Sequence, residues 1–156
     1  MTLVNYIGEI VLDTLINPSR NLLLNSKSKE HGLTPAIYSQ GRTFVDVHKF
    51  ITKILRNKIL IGFNAKHIVD ILNLKNQAYI DIGFQSKEAT KPTPLKIQSI
   101  EELNANLNYF PSCTIVDARV SMALFKKKRP MYLQFVEGVT AEQVEKLRAQ
   151  KPQPVP

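Results

Sequence analysis

Apolar and β-branched residues dominate two short runs at the start of the chain, 2–6 and 9–16, and the Ile7-Gly8 pair between them predicts an antiparallel hairpin closed by Asn17-Pro18-Ser19-Arg20. From 21 to 39 the sequence is polar and weakly patterned apart from Leu22, Leu23 and Leu24. The period then changes. Val47, Phe50, Ile51, Ile54 and Leu55 fall on one stripe of a helix over 44–55. An apolar run, Ile59-Leu60-Ile61, stops at Gly62 and leads into a stretch where Ile68, Ile71 and Leu72 share a face, which predicts buried strand, loop and helix. A short strand follows over 78–84, then a proline-containing loop over 87–94.

Ser99 with Glu102 three residues later has the form of a capping box, opening a helix to 107 that Asn108-Tyr109-Phe110-Pro111 ends. A helix over 115–126 turns Ala118, Met122 and Phe125 inward. Thr140 and Gln143 open a last helix, before a tail in which proline alternates and which is expected to stay extended and disordered. A hairpin followed by alternating helices and strands predicts an α/β domain, a mixed sheet with flanking helices, over 1–136, with a C-terminal helix over 137–150 and the tail over 151–156.

With 156 residues, 44% of them hydrophobic, the chain suits one globular domain with its own core. It contains no apolar run long enough for a bilayer and no basic or Arg-rich leader pattern at its start, so a soluble intracellular protein with no membrane contact is expected. The single Cys113 excludes an internal disulfide and a cysteine zinc cluster, and reads as a small buried or half-buried thiol. A formal charge of +8 favours polyanionic partners. The densest basic cluster is Lys126-Lys127-Lys128-Arg129, which reads first as a helix C-terminus stabilised by the macrodipole and alternatively as a phosphate-binding patch.

Two segments carry a resemblance. The stretch from Lys58 to Leu72 resembles the third motif of the DEDDh-type 3′ to 5′ exonucleases, a strand, a Gly-His pair and an Asp on the next helix. Here the His position is Phe63, and the Asp position, six residues beyond Gly62, is Ile68. The stretch from Ser112 to Phe125 resembles the last motif, His-x-x-x-x-Asp-Ala-Arg. Asp117-Ala118-Arg119 match it, and Ser112 stands at the general-base His, with a hydroxyl that cannot hold a proton near neutrality. His31-Gly32-Leu33-Thr34, Tyr79-Ile80-Asp81 and Ser99-Ile100-Glu101-Glu102-Leu103 fall in order between them, so the similarity runs from Leu3 to Phe125 and is nearest to the RNA exonuclease branch. The first motif, Asp-x-Glu on the opening strand, should lie just upstream of a segment like 4–18, which here opens the chain. The resemblance implies a ribonuclease H-like fold, degenerate and N-terminally truncated, with its opening catalytic strand absent.

That strand is central in the implied fold, flanked by the first hairpin strand and by 59–61. Removing it leaves two rows of backbone groups to be satisfied, at about 1 to 3 kcal/mol for each buried unpaired group. Three repairs are open: the flanking strands close on each other, a partner chain supplies a strand, or the sequence is part of a longer chain. Direct pairing or a partner's strand is expected.

The chemistry follows from the same positions. The family's two divalent ions need several carboxylates, and Asp117 alone cannot hold them; with Ile68 and Ser112 at the other motif positions, no catalytic or metal site is expected. Asp70 should point away from Ile68, Glu9 and Asp13 belong to the hairpin, and His67 reads as an ordinary exposed histidine. Asp117 reads as a helix N-terminal carboxylate ahead of a residual metal ligand. Three functions remain in view: an inactive exonuclease-fold module in or beside an RNA-containing assembly, contacting RNA through Lys66, Arg119, Lys126, Lys127, Lys128 and Arg129; an active Mg- or Mn-dependent RNA exonuclease whose Asp-x-Glu lies elsewhere; or a protein-docking module, or homo-dimer, joined through an exposed sheet edge.

Overall fold

A computed structural model describes residues 1–17, 32–86, 89–107 and 113–134, together with Glu145 and Ala149. The chain is mixed α/β. In order it runs β1 (Thr2–Val4), β2 (Ile10–Asp13), β3 (Ile16–Asn17), α1 (Pro35–Ser39), β4 (Arg42–Thr43), α2 (Phe44–Leu55), β5 (Leu60–Gly62), α3 (Ala65–Ile71), β6 (Tyr79–Asp81), α4 (Leu95–Leu103), α5 (Thr114–Lys127) and α6 (Arg129–Tyr132). Its strands pair two by two: β1 with β2 antiparallel, β3 with β4 parallel, and β5 with β6 parallel. The predicted C-terminal helix and the tail lie outside the described residues, apart from Glu145 and Ala149, which are helical.

The hairpin forms where the pattern places it. Gly8 takes φ +92, and Asn5 braces the turn by accepting the N–H groups of Ile7 (3.1 Å) and Glu9 (2.9 Å) on its side-chain oxygen. The β3–β4 pair was not predicted. Each strand is two residues long, too short for a period to register, and their approach needs Gly41, where a Cβ would stand 2.8 Å from the carbonyl oxygen of Leu15. Thr43 then caps α2, its hydroxyl oxygen accepting from the Asp46 N–H at 3.2 Å. The predicted α2 stripe buries Val47, Ile51 and Leu55 and half-buries Ile54, but leaves Phe50 36% exposed.

One capping box is corrected. Ser99 does not start a helix; α4 begins four residues earlier at Leu95, and Ser99 is buried inside it with its hydroxyl turned back to the Lys96 carbonyl at 2.8 Å. The start is set by Gln98, whose amide donates to the carbonyls of Ile82 (2.9 Å) and Thr93 (2.8 Å) and so fastens the first turn to the end of β6. The helix stops at Leu103 rather than 107, because Asn104 turns into the left-handed region at φ 52.

Two apolar clusters form the core, one on each face of β5 and β6. Leu60 and Tyr79 turn to the first, with Val47, Ile51 and Leu55 of α2 and Leu72 beyond α3. Ile59, Ile61 and Ile80 turn to the second, with Leu124 and Phe125 of α5 and Tyr132 of α6. The strand period of two therefore places α2 and α3 on one face and α5 and α6 on the other. β1 reaches both clusters as well, with Leu3 against the first and Tyr6, just past its end, against the second. Yet β1 and β5 are not hydrogen-bonded to each other. Closure of the flanking strands, one of the two expected repairs, is thus not what the fold does.

Candidate functional site

Between β1 and β5 lies a cavity of about 1150 Å³. Residues 1–6 form one wall and 58–63 the other; Ile54, Ile68 and Leu72 line it from the α2–α3 side, and Asp117, Ala118 and Ser121 from α5. The two positions singled out by motif spacing, Ile68 and Asp117, therefore face one cavity. Ile68 is half-buried on α3, with its methyl 3.8 Å from where a Cβ on Gly62 would stand. Asp117 is half-buried in the first turn of α5, where the unsatisfied N–H groups of the helix start favour a carboxylate. Ser112 lies outside the described residues. Cys113 is half-buried beside them, as expected.

Other acidic residues near the motifs are committed elsewhere. Asp70 is exposed and pairs with Lys66 at 2.8 Å. Glu9 accepts from the Asn5 amide at 2.7 Å, and Asp13 from the Thr2 hydroxyl at 2.6 Å. Among the cavity-lining residues Asp117 is the sole carboxylate. Among the described residues, no three His, Cys, Asp or Glu gather where they could hold a metal ion. A pair of divalent ions about 4 Å apart needs bridging and flanking carboxylate oxygens, so this donor set does not fit one.

The basic cluster folds back onto the protein. Lys126 sits over the Tyr6 ring, 4.7 Å from its centroid, a cation–π contact. Lys127 and Lys128 both pair with Glu102 of α4, and Lys127 also donates to the Glu102 carbonyl. Lys128 reaches Gln85 at 3.2 Å as well. Arg129 is buried and lines the cavity. Pro130 does not end the helical path but enters α6 at its start, where a missing N–H costs nothing. Arg119 donates its Nε to the Gly8 carbonyl at 3.0 Å and so ties α5 to the hairpin turn.

Three groups carry more of the structure than the sequence announces. Glu102 is held below the ordinary carboxylate range, chiefly by the hydrogen bond from Lys128. Asp81 ends β6 with one oxygen accepting the N–H groups of Asn64 (3.0 Å) and Gly83 (2.9 Å), which fixes the β5–α3 loop beside the β6 turn. Tyr132 is fully buried, its hydroxyl 3.3 Å from both the Ile82 carbonyl and the Gln98 side-chain oxygen, and burial pushes its pKa up to about 12. The Lys66–Asp70 pair was not predicted, although its (i, i+4) spacing is a signal that could have found it; contacts such as Glu102 to Lys128 join residues that no local period connects.

The chain is similar to several proteins named RNA exonuclease 4. It is 29% identical over 136 residues to that of Candida glabrata, covering 83% of this chain and 51% of the relative. The Saccharomyces cerevisiae protein is 28% identical over 136 residues, covering 83% and 47%, and the Neurospora crassa protein 24% identical over 136 residues, covering 82% and 33%. The chain thus spans about half the length, or less, of these curated relatives. No family model matches it. The similarity supports an exonuclease family. No helix among the described residues is long and apolar enough to cross a membrane.

Proposed function

We propose that this chain is a DEDDh-derived, ribonuclease H-like exonuclease domain that binds RNA without cutting it, serving as a binding or structural module in or beside an RNA-containing assembly. One observation carries this reading: of the two motif positions that line the cavity one is an isoleucine, Ile68, and Asp117 is the one carboxylate among its described lining residues. A phosphodiester-cleaving site of this type rests on two cations held by several acids, and a lone helix-start Asp cannot supply them. The names of the relatives and the +8 charge support RNA as the ligand.

The relatives' names also favour a second reading, an active Mg- or Mn-dependent 3′ to 5′ RNA exonuclease whose remaining acids lie in the length of the relatives that this chain does not span. Incubating the pure chain with end-labelled single-stranded RNA and Mg²⁺ or Mn²⁺ separates the two. Retention of intact RNA at low salt is the expected result. Metal-dependent trimming that disappears in Asp117→Ala would overturn it and establish the second reading. Absence of any RNA retention at low salt would leave a protein-docking role.

A further inference from the structure

We infer that the outer face of α2 binds single-stranded RNA, with phosphates on Lys49, Lys53 and Arg56 and an unpaired base on the ring of Phe50. The inference rests on the proposed RNA-binding reading and places the contact away from the basic run 126–129. Residues three and four apart are neighbours on one side of a helix, about 5–6 Å from one another; Lys49, Lys53 and Arg56 have that spacing, and all three are exposed. Among the described residues, no carboxylate pairs with any of them. The one acid of α2, Asp46, stands in the first turn and accepts the Thr43 hydroxyl at 2.6 Å. The helix terminus accounts for cations at the C-terminal end, where Lys53 and Arg56 stand, but not for Lys49 in the middle of the helix.

The two basic surfaces differ in availability. Lys126 lies over the Tyr6 ring, Lys127 and Lys128 meet Glu102, and Arg129 is buried, so a phosphate approaching that run must displace contacts the protein already makes. The α2 cations have no such contacts to lose. They also stand on a separate surface, since α2 packs on the face of β5 and β6 opposite to α5 and α6. Phe50 sets the kind of strand. Its place in the apolar stripe predicts a buried ring, yet it is 36% exposed three residues before Lys53, and Val45, four residues before Lys49, is 58% exposed. Charge alone would suit any polyanion, but an exposed ring beside cations adds affinity for a nucleic acid whose bases are free to stack on it. A duplex keeps its bases stacked inside. An acidic peptide brings the charge without the π-face.

The probe is a short labelled oligoadenylate, and its binding to the full chain is followed by fluorescence anisotropy over a series of salt concentrations. Changing Lys49, Lys53 and Arg56 together to Gln should weaken binding about tenfold or more at low salt and flatten the log–log salt dependence by about 0.7 for each cation removed, with an unchanged circular dichroism spectrum. Phe50→Leu keeps the apolar bulk and loses the ring; it should weaken binding about fivefold or more without changing the slope, and Phe50→Tyr should restore it. Changing Lys126, Lys127 and Lys128 together to Gln removes the same charge from the other surface and should alter affinity by no more than about twofold. A native chain that binds the oligonucleotide while the α2 variant binds it as tightly, or while the 126–128 variant loses as much, would overturn the inference and leave RNA binding standing. No binding by the native chain at low salt would overturn both. An unaffected Phe50→Leu, or equal affinity of the native chain for duplex RNA or oligoglutamate of the same length, would overturn the assignment to a single strand; if Phe50→Leu misfolds, the comparison of ligands on the native chain decides alone.

Discussion

Tyr132 is the residue on which most of the second cluster turns. Its ring is buried against Phe125, and its hydroxyl meets Ile82 and Gln98, whose own amide holds Ile82 and Thr93. Tyr132→Phe leaves the Ile82 carbonyl with the Gln98 amide but takes the donor from the buried Gln98 side-chain oxygen, so it should cost about 1 to 3 kcal/mol in urea unfolding. Gln98→Leu strips the donors from two carbonyls in a buried site and should cost more, about 1 to 3 kcal/mol. The pH dependence follows from the raised pKa. A folded-state value of about 12 against 10.0 means that the fold favours the protonated phenol; its contribution is complete below pH 10 and is lost as pH rises from there through about 12. Spectroscopic titration should show a tyrosine ionisation step near pH 12, and that step should vanish in Tyr132→Phe. Neither the buried hydroxyl network nor its partners could be read from the sequence, since residues 82, 98 and 132 share no local pattern.

At the scale of elements, legibility tracks length and period. The hairpin, α2, β5, α3 and the inward face of α5 were foreseen because apolar residues recur in them at intervals of two or at helical spacing. The same reasoning misplaced Ile71, which is 58% exposed although it shares the predicted face, because α3 ends there and the helix lies at the rim of the cavity. It also read Glu102 as a cap. In the fold Glu102 instead joins α4 to the end of α5 through Lys127 and Lys128. Its lowered pKa places its stabilising effect above the ordinary carboxylate value, and the effect is lost as pH falls through the folded-state value. Glu102→Gln should therefore melt at a lower temperature than the native chain at about pH 7, with the gap closing as the pH is lowered through the carboxylate's titration. Thr43→Ala tests a cap that does exist; loss of the bond to the Asp46 N–H should cost about 1 kcal/mol, and Thr43→Ser should restore most of it.

Over the whole molecule, the excess of positive charge is only partly free to meet a polyanion. Of the basic residues proposed to contact RNA, Lys66 is engaged by Asp70, Arg119 by the Gly8 carbonyl, and Lys127 and Lys128 by Glu102. Phosphates must compete with these contacts, so affinity depends on what the protein's own carboxylates give up. Glu102 is the sharpest case, since one carboxylate holds two lysines of the densest basic run. Glu102→Gln removes the charge that pairs with both, leaving Lys127 only its bond to the Glu102 carbonyl, and adds one unit of net charge. If RNA binds along this face, the variant should bind single-stranded RNA several-fold more tightly at low salt even though it is the less stable protein. The log–log salt dependence should steepen by about 0.7 for each lysine that gains a phosphate. An unchanged slope would place the RNA contact away from Lys127 and Lys128, and a weaker affinity would mean that the α4–α5 join itself shapes the binding face.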